Sequence, residues 1–197
     1  MVTVMAMMEK GVRLMNSQEI SNMDGSLRQM LFKYRELRLF EKMLRREGVS
    51  LAGSVIMDAG CGSGVSTGLI IEKYHPSGVI AFDYMPEMIG RAREKGLQVD
   101  FQVGDMRKTG CRDASVDAVF IVLALHHMAD WDQALREMYR VLRPGGVLLL
   151  EEPKEGGFSW RALEAELGRT GFTISQRGNA VPFMMRNYLC RKPGANR

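Results

Sequence analysis

Val55-Ile56-Met57-Asp58-Ala59-Gly60-Cys61-Gly62-Ser63-Gly64 is the stretch whose reading decides the fold. A short apolar run closes on an acid, and three glycines follow at alternate positions. The run reads as a buried strand. The glycines read as a turn whose backbone can approach a ligand with no Cβ in the way. A helical segment follows through Leu69-Ile70-Ile71-Glu72-Lys73. Strand, glycine turn and helix in that order open a parallel α/β unit.

The pattern then recurs. Val79-Ile80-Ala81-Phe82 ends at Asp83, and Pro86 to Lys95 reads as a helix stopped by Gly96. Val99 to Val103 ends at Gly104-Asp105. Val116 to Leu123 is nearly all apolar, as a central parallel strand covered on both faces should be. Asp132 to Leu142 is the next helix, Arg143-Pro144-Gly145-Gly146 a turn, and Val147-Leu148-Leu149-Leu150 another buried strand. Trp160 to Leu167 reads as a last helix ending near Gly168. Phe172 to Ser175 and Met184 to Cys190 make a closing antiparallel pair. Strands alternating with helices imply an open α/β sheet, and such sheets bind ligands beyond the carboxyl ends of their strands.

Upstream of this unit the signals are weaker. Residues 1–25 lack a steady period and contain Asn22-Met23-Asp24-Gly25, so they read as an arm or short helix. Leu27, Met30, Leu31, Tyr34, Leu37 and Leu44 recur at helical spacing, with Arg28, Lys33, Arg35, Arg38, Lys42, Arg45 and Arg46 mostly on the other faces. Gly48 should stop that helix. Its basic face reads first as solvated surface.

The chain has 197 residues, one domain's worth, and 27 basic against 23 acidic side chains leave a net charge of +4. That balance admits a nucleic-acid partner without requiring one. No stretch reaches the roughly 18–20 apolar residues of a membrane helix. Met1 to Met15 lacks the basic start and small-residue cleavage site of a secretory signal. Cys61, Cys111 and Cys190 are odd in number and far apart, so they form neither a disulfide framework nor a CxxC metal site. A reducing, cytoplasmic setting is the expectation, and nothing indicates a metal. Sixteen methionines, seven within the first thirty residues, are the one odd count.

Three features fall at the strand ends. Asp83 lies 19 residues after Gly64 and can accept both hydroxyl hydrogens of a ribose. Asp105 is placed to accept a hydrogen bond from an exocyclic amine such as that of adenine. A dinucleotide would want G-x-G-x-x-G, but the third position is Val65 counted from Gly60 and Thr67 counted from Gly62. The tighter G-x-G-x-G suits a nucleoside with a small zwitterionic tail.

Asp58 to Gly64, Asp83, Gly104-Asp105-Met106, Leu125-His126-His127-Met128-Ala129-Asp130 and Leu142-Arg143-Pro144-Gly145-Gly146 together resemble the successive motifs of class I S-adenosylmethionine-dependent methyltransferases. The likeness covers roughly residues 50–175 and is nearest to the small-molecule branch that includes the ubiquinone/menaquinone-type enzymes. It implies a Rossmann-like, seven-stranded, mostly parallel sheet with helices on both faces and the last strand antiparallel. The implied cofactor is S-adenosyl-L-methionine, with S-adenosyl-L-homocysteine as product. On this resemblance Asp58 and the Gly60 and Gly62 backbone would hold the methionine moiety, and Cys61 would pack beside them. Asp83 would bind the ribose, and Tyr84 and Met85 would flank the adenine. Asp105 would meet the adenine amine with Met106 packed nearby. Ile121, where the family often carries a small or polar residue, would line the cofactor by its backbone.

An acceptor that must lose a proton needs a base, and His126 and His127, just past the fourth strand, are the candidates. The leading reading is methyl transfer to an O, N or C atom of a small molecule. The alternatives are an RNA methyltransferase, motivated by the basic face of residues 28–46, and a non-catalytic cofactor-binding partner. Against RNA, Leu123-Ala124-Leu125-His126 stands where base-amine methyltransferases often carry Asn/Asp-Pro-Pro-aromatic. Residues 1–48 would form an arm and helix serving as a lid, helped by the 176–183 loop, and residues 49–197 the methyltransferase domain. The oligomeric state stays open, with the N-terminal segment as the candidate homodimer surface.

Overall fold

The computed structural model describes residues 35–154, 158–179 and 184–194. In chain order these form helix α1 (Leu37–Arg46), strand β1 (Val55–Ala59), α2 (Val65–Tyr74), β2 (Gly78–Asp83) and α3 (Pro86–Arg93). There follow β3 (Asp100–Val103), β4 (Val116–Val122), α4 (Trp131–Val141), β5 (Leu142–Pro153), α5 (Trp160–Thr170), β6 (Thr173–Gly178) and β7 (Met185–Arg191). A 3₁₀ turn, Leu125–His127, connects β4 to α4. The arm at residues 1–25 and the start of the N-terminal helix lie outside the described residues.

All seven strands join one sheet in the order β3-β2-β1-β4-β5-β7-β6. Pairing is parallel from β3 to β5, and β7 runs antiparallel to both of its neighbours. The order reverses at β1, where the chain crosses to β4, and the crevice at such a switch point is where open sheets bind ligands.

The apolar runs of β1, β4 and β5 are continuous because both faces are covered, with neighbouring residues serving opposite sides. Ile56, Phe120 and Leu149 pack under α1 and α2 with Phe40, Met43 and Ile70. Met57, Val119 and Leu148 pack against α4 and α5 with Leu135, Met138 and Leu163. A third cluster joins Ile89 and Ala92 of α3 to Ala81 and Phe101. Helix α1 belongs to the same core. Leu37, Phe40, Met43 and Leu44 are buried, and the Phe40 ring meets Phe120 edge-on at 5.8 Å. Gln176 donates from Nε2 to the Met43 carbonyl, and Arg191 from Nη2 to the Glu47 carbonyl. On the outer side Glu41 pairs with Arg45 and Lys73, as a solvated face would.

Three boundaries differ from the sequence reading. Helix α5 runs through Gly168 and ends at Gly171, whose φ of 102° supplies the left-handed residue. The Phe172 N–H donates to the Leu167 carbonyl, which closes the last turn. Strand β6 continues to Gly178, so residues 176–178 are ladder and not loop, and residues 180–183 lie outside the described residues. Residues Arg143–Gly146, read as a turn, fall within the span of β5. The β4–β5 register shifts between Val116 and Ala118, and the regular ladder starts at Val147.

Candidate active site

The Gly60–Gly64 loop leaves β1 with all three glycines in the left-handed region, at φ of 79°, 53° and 78°. Gly60 has no alternative: a Cβ there would stand 2.7 Å from the Ala124 Cβ. The loop is sewn to β2, because the Gly60 and Cys61 N–H groups both donate to the Phe82 carbonyl. It opens onto a cavity of about 770 Å³ at the carboxyl ends of β1, β2, β3 and β4. That is a volume ordinary for a small-molecule site.

Eight of the ten expected cofactor residues line this cavity. They are Gly60, Cys61, Gly62, Asp83, Tyr84, Met85, Asp105 and Met106. Asp83 accepts from the Gly62 N–H through Oδ2 and from the Met85 N–H through Oδ1, both at 2.9 Å. Each oxygen keeps a second lone pair, so the carboxylate can accept further hydrogens. Tyr84 and Met85 are exposed at the rim, and Met106 is buried beside Gly60. Cys61 is buried. Burial pushes its thiol far above the ordinary range, and the charges of Asp58 and Asp83 push it further, which favours the neutral thiol.

Two expected residues stand elsewhere. Asp58 is 1% exposed and does not face the cavity. Its Oδ2 accepts from Ser66 Oγ at 2.9 Å and Thr67 Oγ1 at 2.6 Å, and so ties β1 to the first turn of α2. Because Asp58 precedes Gly60 on a strand covered on both sides, its side chain turns under the loop and not into the crevice. Ile121 is fully buried in the core cluster facing α4 and α5, and the β4 wall is made by Val122, Leu123 and Ala124. Leu123 makes the difference. Its left-handed φ of 55° ends the strand and swings the chain along the crevice.

Asp105 is held by a neighbour that sequence reasoning missed. Arg107 donates from Nε to both oxygens at 3.0 Å, from Nη2 at 2.7 Å and from its own N–H at 2.8 Å. Its Nη1 reaches Asp130 at 3.1 Å. The Arg107 hydrogen bonds keep the Asp105 carboxyl below its usual range. An arginine two residues after an acid was the available signal, but nothing local says that its fork turns back.

On the other wall His127 lines the cavity and His126 stands behind it, with ring centroids 3.9 Å apart. Glu152, fully buried near the end of β5, accepts the Ala124, Leu125 and His126 N–H groups at 3.0, 2.8 and 3.3 Å. Its Oε2 lies 2.7 Å from His126 Nδ1. Glu151 points to the other face of the sheet, where its Oε2 accepts from Asn187 Nδ2. Burial holds the Glu151 carboxyl well above the usual range, and the charge of Glu36 adds to this. The sequence signal for both acids was present: two glutamates close an otherwise apolar buried strand at its ligand-bearing end.

The donor set fits S-adenosylmethionine. The glycine loop leaves open space above Gly62, and carboxylates stand at the ends of β2 and β3 for hydroxyl and amine hydrogens. Residues 57–150 match the family described as "Methyltransferase domain". The chain is 35% identical over 126 residues to the malonyl-[acyl-carrier protein] O-methyltransferase of Yersinia pestis, an alignment of 60% of this chain and 46% of that protein. It is 35% identical over 125 residues to the demethylmenaquinone methyltransferase of Thermus thermophilus, covering 58% and 57%. It thus spans about half the length of these curated relatives. The crystal structure of a SAM-dependent methyltransferase from Aquifex aeolicus superimposes with a TM-score of 0.71 at 20% identity, over 91% of this chain and all of that one. With the switch-point cavity and its glycine loop, these matches show a domain similar to S-adenosylmethionine-dependent methyltransferases, in the fold that those enzymes share.

Proposed function

We propose that the protein transfers the methyl group of S-adenosylmethionine to a small-molecule acceptor. The observation that carries this reading is the cavity itself, which brings the glycine loop, Asp83 and Asp105 to one wall and His127 to another. When bound, S-adenosylmethionine would supply a methyl group activated by its sulfonium, for transfer to an acceptor's lone pair with the sulfur as leaving group. The protein's part is to align the two partners in line and keep water away. Asp83 takes the ribose hydroxyls, and Gly60 and Gly62 border the methionine tail. Asp105, both of whose oxygens Arg107 engages, would meet the adenine amine by giving up one of those bonds. Asp58 supports the loop from below through Ser66 and Thr67.

Calorimetry with S-adenosylmethionine tests the assignment. Asp83→Ala should weaken binding at least tenfold, or about 1.4 kcal/mol; unchanged affinity overturns it. A labelled-methyl screen across quinols, phenols, amines and tRNA then reads the acceptor class, for which the relatives' names favour small molecules. Methylated tRNA, with salt-sensitive RNA binding, would move the reading to nucleic acid.

The N-terminal segment, residues 1–48, is assigned to cover the acceptor. Leu123, a cavity-wall residue, belongs to the same apolar cluster as Leu37 and Phe40 of α1. Deleting residues 1–25 should slow turnover or weaken cofactor retention; full activity removes the lid.

A further inference from the structure

Asp105 already holds as many donors as its oxygens take. Oδ1 accepts the Arg107 N–H at 2.8 Å and Nε at 3.0 Å, and Oδ2 accepts Nε at 3.0 Å and Nη2 at 2.7 Å. A carboxylate oxygen offers about two lone-pair sites, so a new donor must displace one of these. The Arg107 N–H is fixed by its turn, which the Lys108 N–H closes on the Asp105 carbonyl at 2.9 Å. The guanidinium is the part that can leave. Arg107 lines the cavity, its side chain is 37% exposed, and Nη1 already reaches Asp130 at 3.1 Å. Asp130 directly precedes α4 and follows the wall residues Met128 and Ala129. Its side chain is 53% exposed and makes no cap hydrogen bond on the helix, so it has room for a second N–H. Strands β3 and β4 are separated in the sheet by β2 and β1, so Arg107 joins two loops whose strands are not neighbours.

Resting on the methyltransferase reading above, we propose that Arg107 is a two-position latch on the cofactor site. Its guanidinium holds Asp105 until the cofactor's exocyclic amine arrives, and then passes a second N–H to Asp130. The exchange leaves both carboxylates paired, since an amine N–H replaces a guanidinium N–H on Asp105 and the displaced one finds Asp130. Only a side chain moves, because the turn that carries Arg107 stays closed. Ion pairs this exposed are weak, so the competition is reversible and shifts affinity by a small factor. Arg107 is thus a positioning residue: it sets how readily the cofactor is taken up, and it takes no part in methyl transfer.

The test is a double-mutant cycle on S-adenosylhomocysteine binding, read by calorimetry on the whole chain at low salt. Arg107→Ala removes the competitor for Asp105 and should tighten binding by about two- to fivefold. Asp130→Asn removes the carboxylate that receives the displaced guanidinium and should weaken binding by a similar factor. In the double variant the Asp130→Asn effect should vanish, because no guanidinium remains to be received. These opposite signs separate the latch from a merely structural ion pair, whose loss at either end would weaken binding. Failure of the wild-type protein to bind S-adenosylhomocysteine sinks the methyltransferase reading. Binding that Arg107→Ala leaves unchanged or weakens, that Asp130→Asn leaves unchanged, or that Asp130→Asn weakens equally with and without Arg107 overturns the latch alone.

Discussion

At the ends of β1, β2 and β3 the crevice is made of backbone and of acids that follow their strands directly. At the ends of β4 and β5 it is made of side chains that meet only across the sheet. Asp83 holds Gly62 and its own turn, and Asp105 holds Arg107 two residues on. His126 and Glu152, by contrast, meet because β4 and β5 are neighbours in register, with Val122 opposite Glu151. The first wall is a local device that a motif can encode. The second depends on pairing, and so it is free to differ among proteins that share the first.

Mutations should separate the two walls. The largest effect is expected on the first. Gly60→Val places a branched side chain at a left-handed φ and 2.7 Å from Ala124. S-adenosylmethionine affinity should fall by about 100-fold, near 2.7 kcal/mol; a loss under threefold, by calorimetry, would break the claim that this wall is a backbone cradle.

The network that fixes the end of α4 to the connection between β3 and β4 is electrostatic. Glu137 on α4 binds Arg140 and takes both the N–H and the hydroxyl of Thr109, and the Arg140 hydrogen bonds hold its carboxyl down at about 2. A lowered acid stabilises the fold above its unfolded range, and that contribution is lost as pH falls toward 2. Wild type should therefore lose about 2 kcal/mol between pH 5 and pH 2 that Glu137→Gln does not lose, measured by denaturant titration. An equal acid slope in both proteins would remove the role.

Glu151 should behave in the opposite sense. Its carboxyl is raised, first by burial and then by Glu36, so its neutral form fits the fold. The stability it gives is complete below the usual carboxyl range and is lost as pH rises. Asn187, Glu152 and Arg35 also face it. Glu151→Gln should match wild type near pH 4 and exceed it by about 1 kcal/mol at pH 8; a Gln variant that is weaker at both values would show that the charged form is the native one. The smallest effect belongs to Cys61. Cys61→Ser should bind cofactor within about threefold of wild type, and the native thiol should resist alkylation at pH 8. Rapid alkylation would mark it as more than packing.

Much of the first wall was legible in sequence because its parts are sequential. A strand, a glycine at each sharp turn and an acid at each carboxyl end leave periodic and positional marks. The sheet was legible for the same reason, since β1, β4 and β5 are apolar on both faces. Asp58 and Ile121 show the limit of that reading. A motif gives their positions, but whether a side chain at a strand end turns to the crevice or beneath it depends on the last φ and ψ values, as at Leu123. The end of α5 failed to read for a related reason: two glycines, Gly168 and Gly171, could each stop it, and only the closing bond to Leu167 selects the second.

By itself, then, the sequence determined the fold class, the succession of strands and helices, and the glycines and acids at the strand ends, because each rests on periodicity or on residues adjacent in the chain. Only the tertiary structure decided which oxygen meets which donor. It set Arg107 onto Asp105, turned Asp58 under the loop and joined His126 to Glu152, because hydrogen bonds depend on angles that pairing between distant strands sets to within a fraction of an ångström.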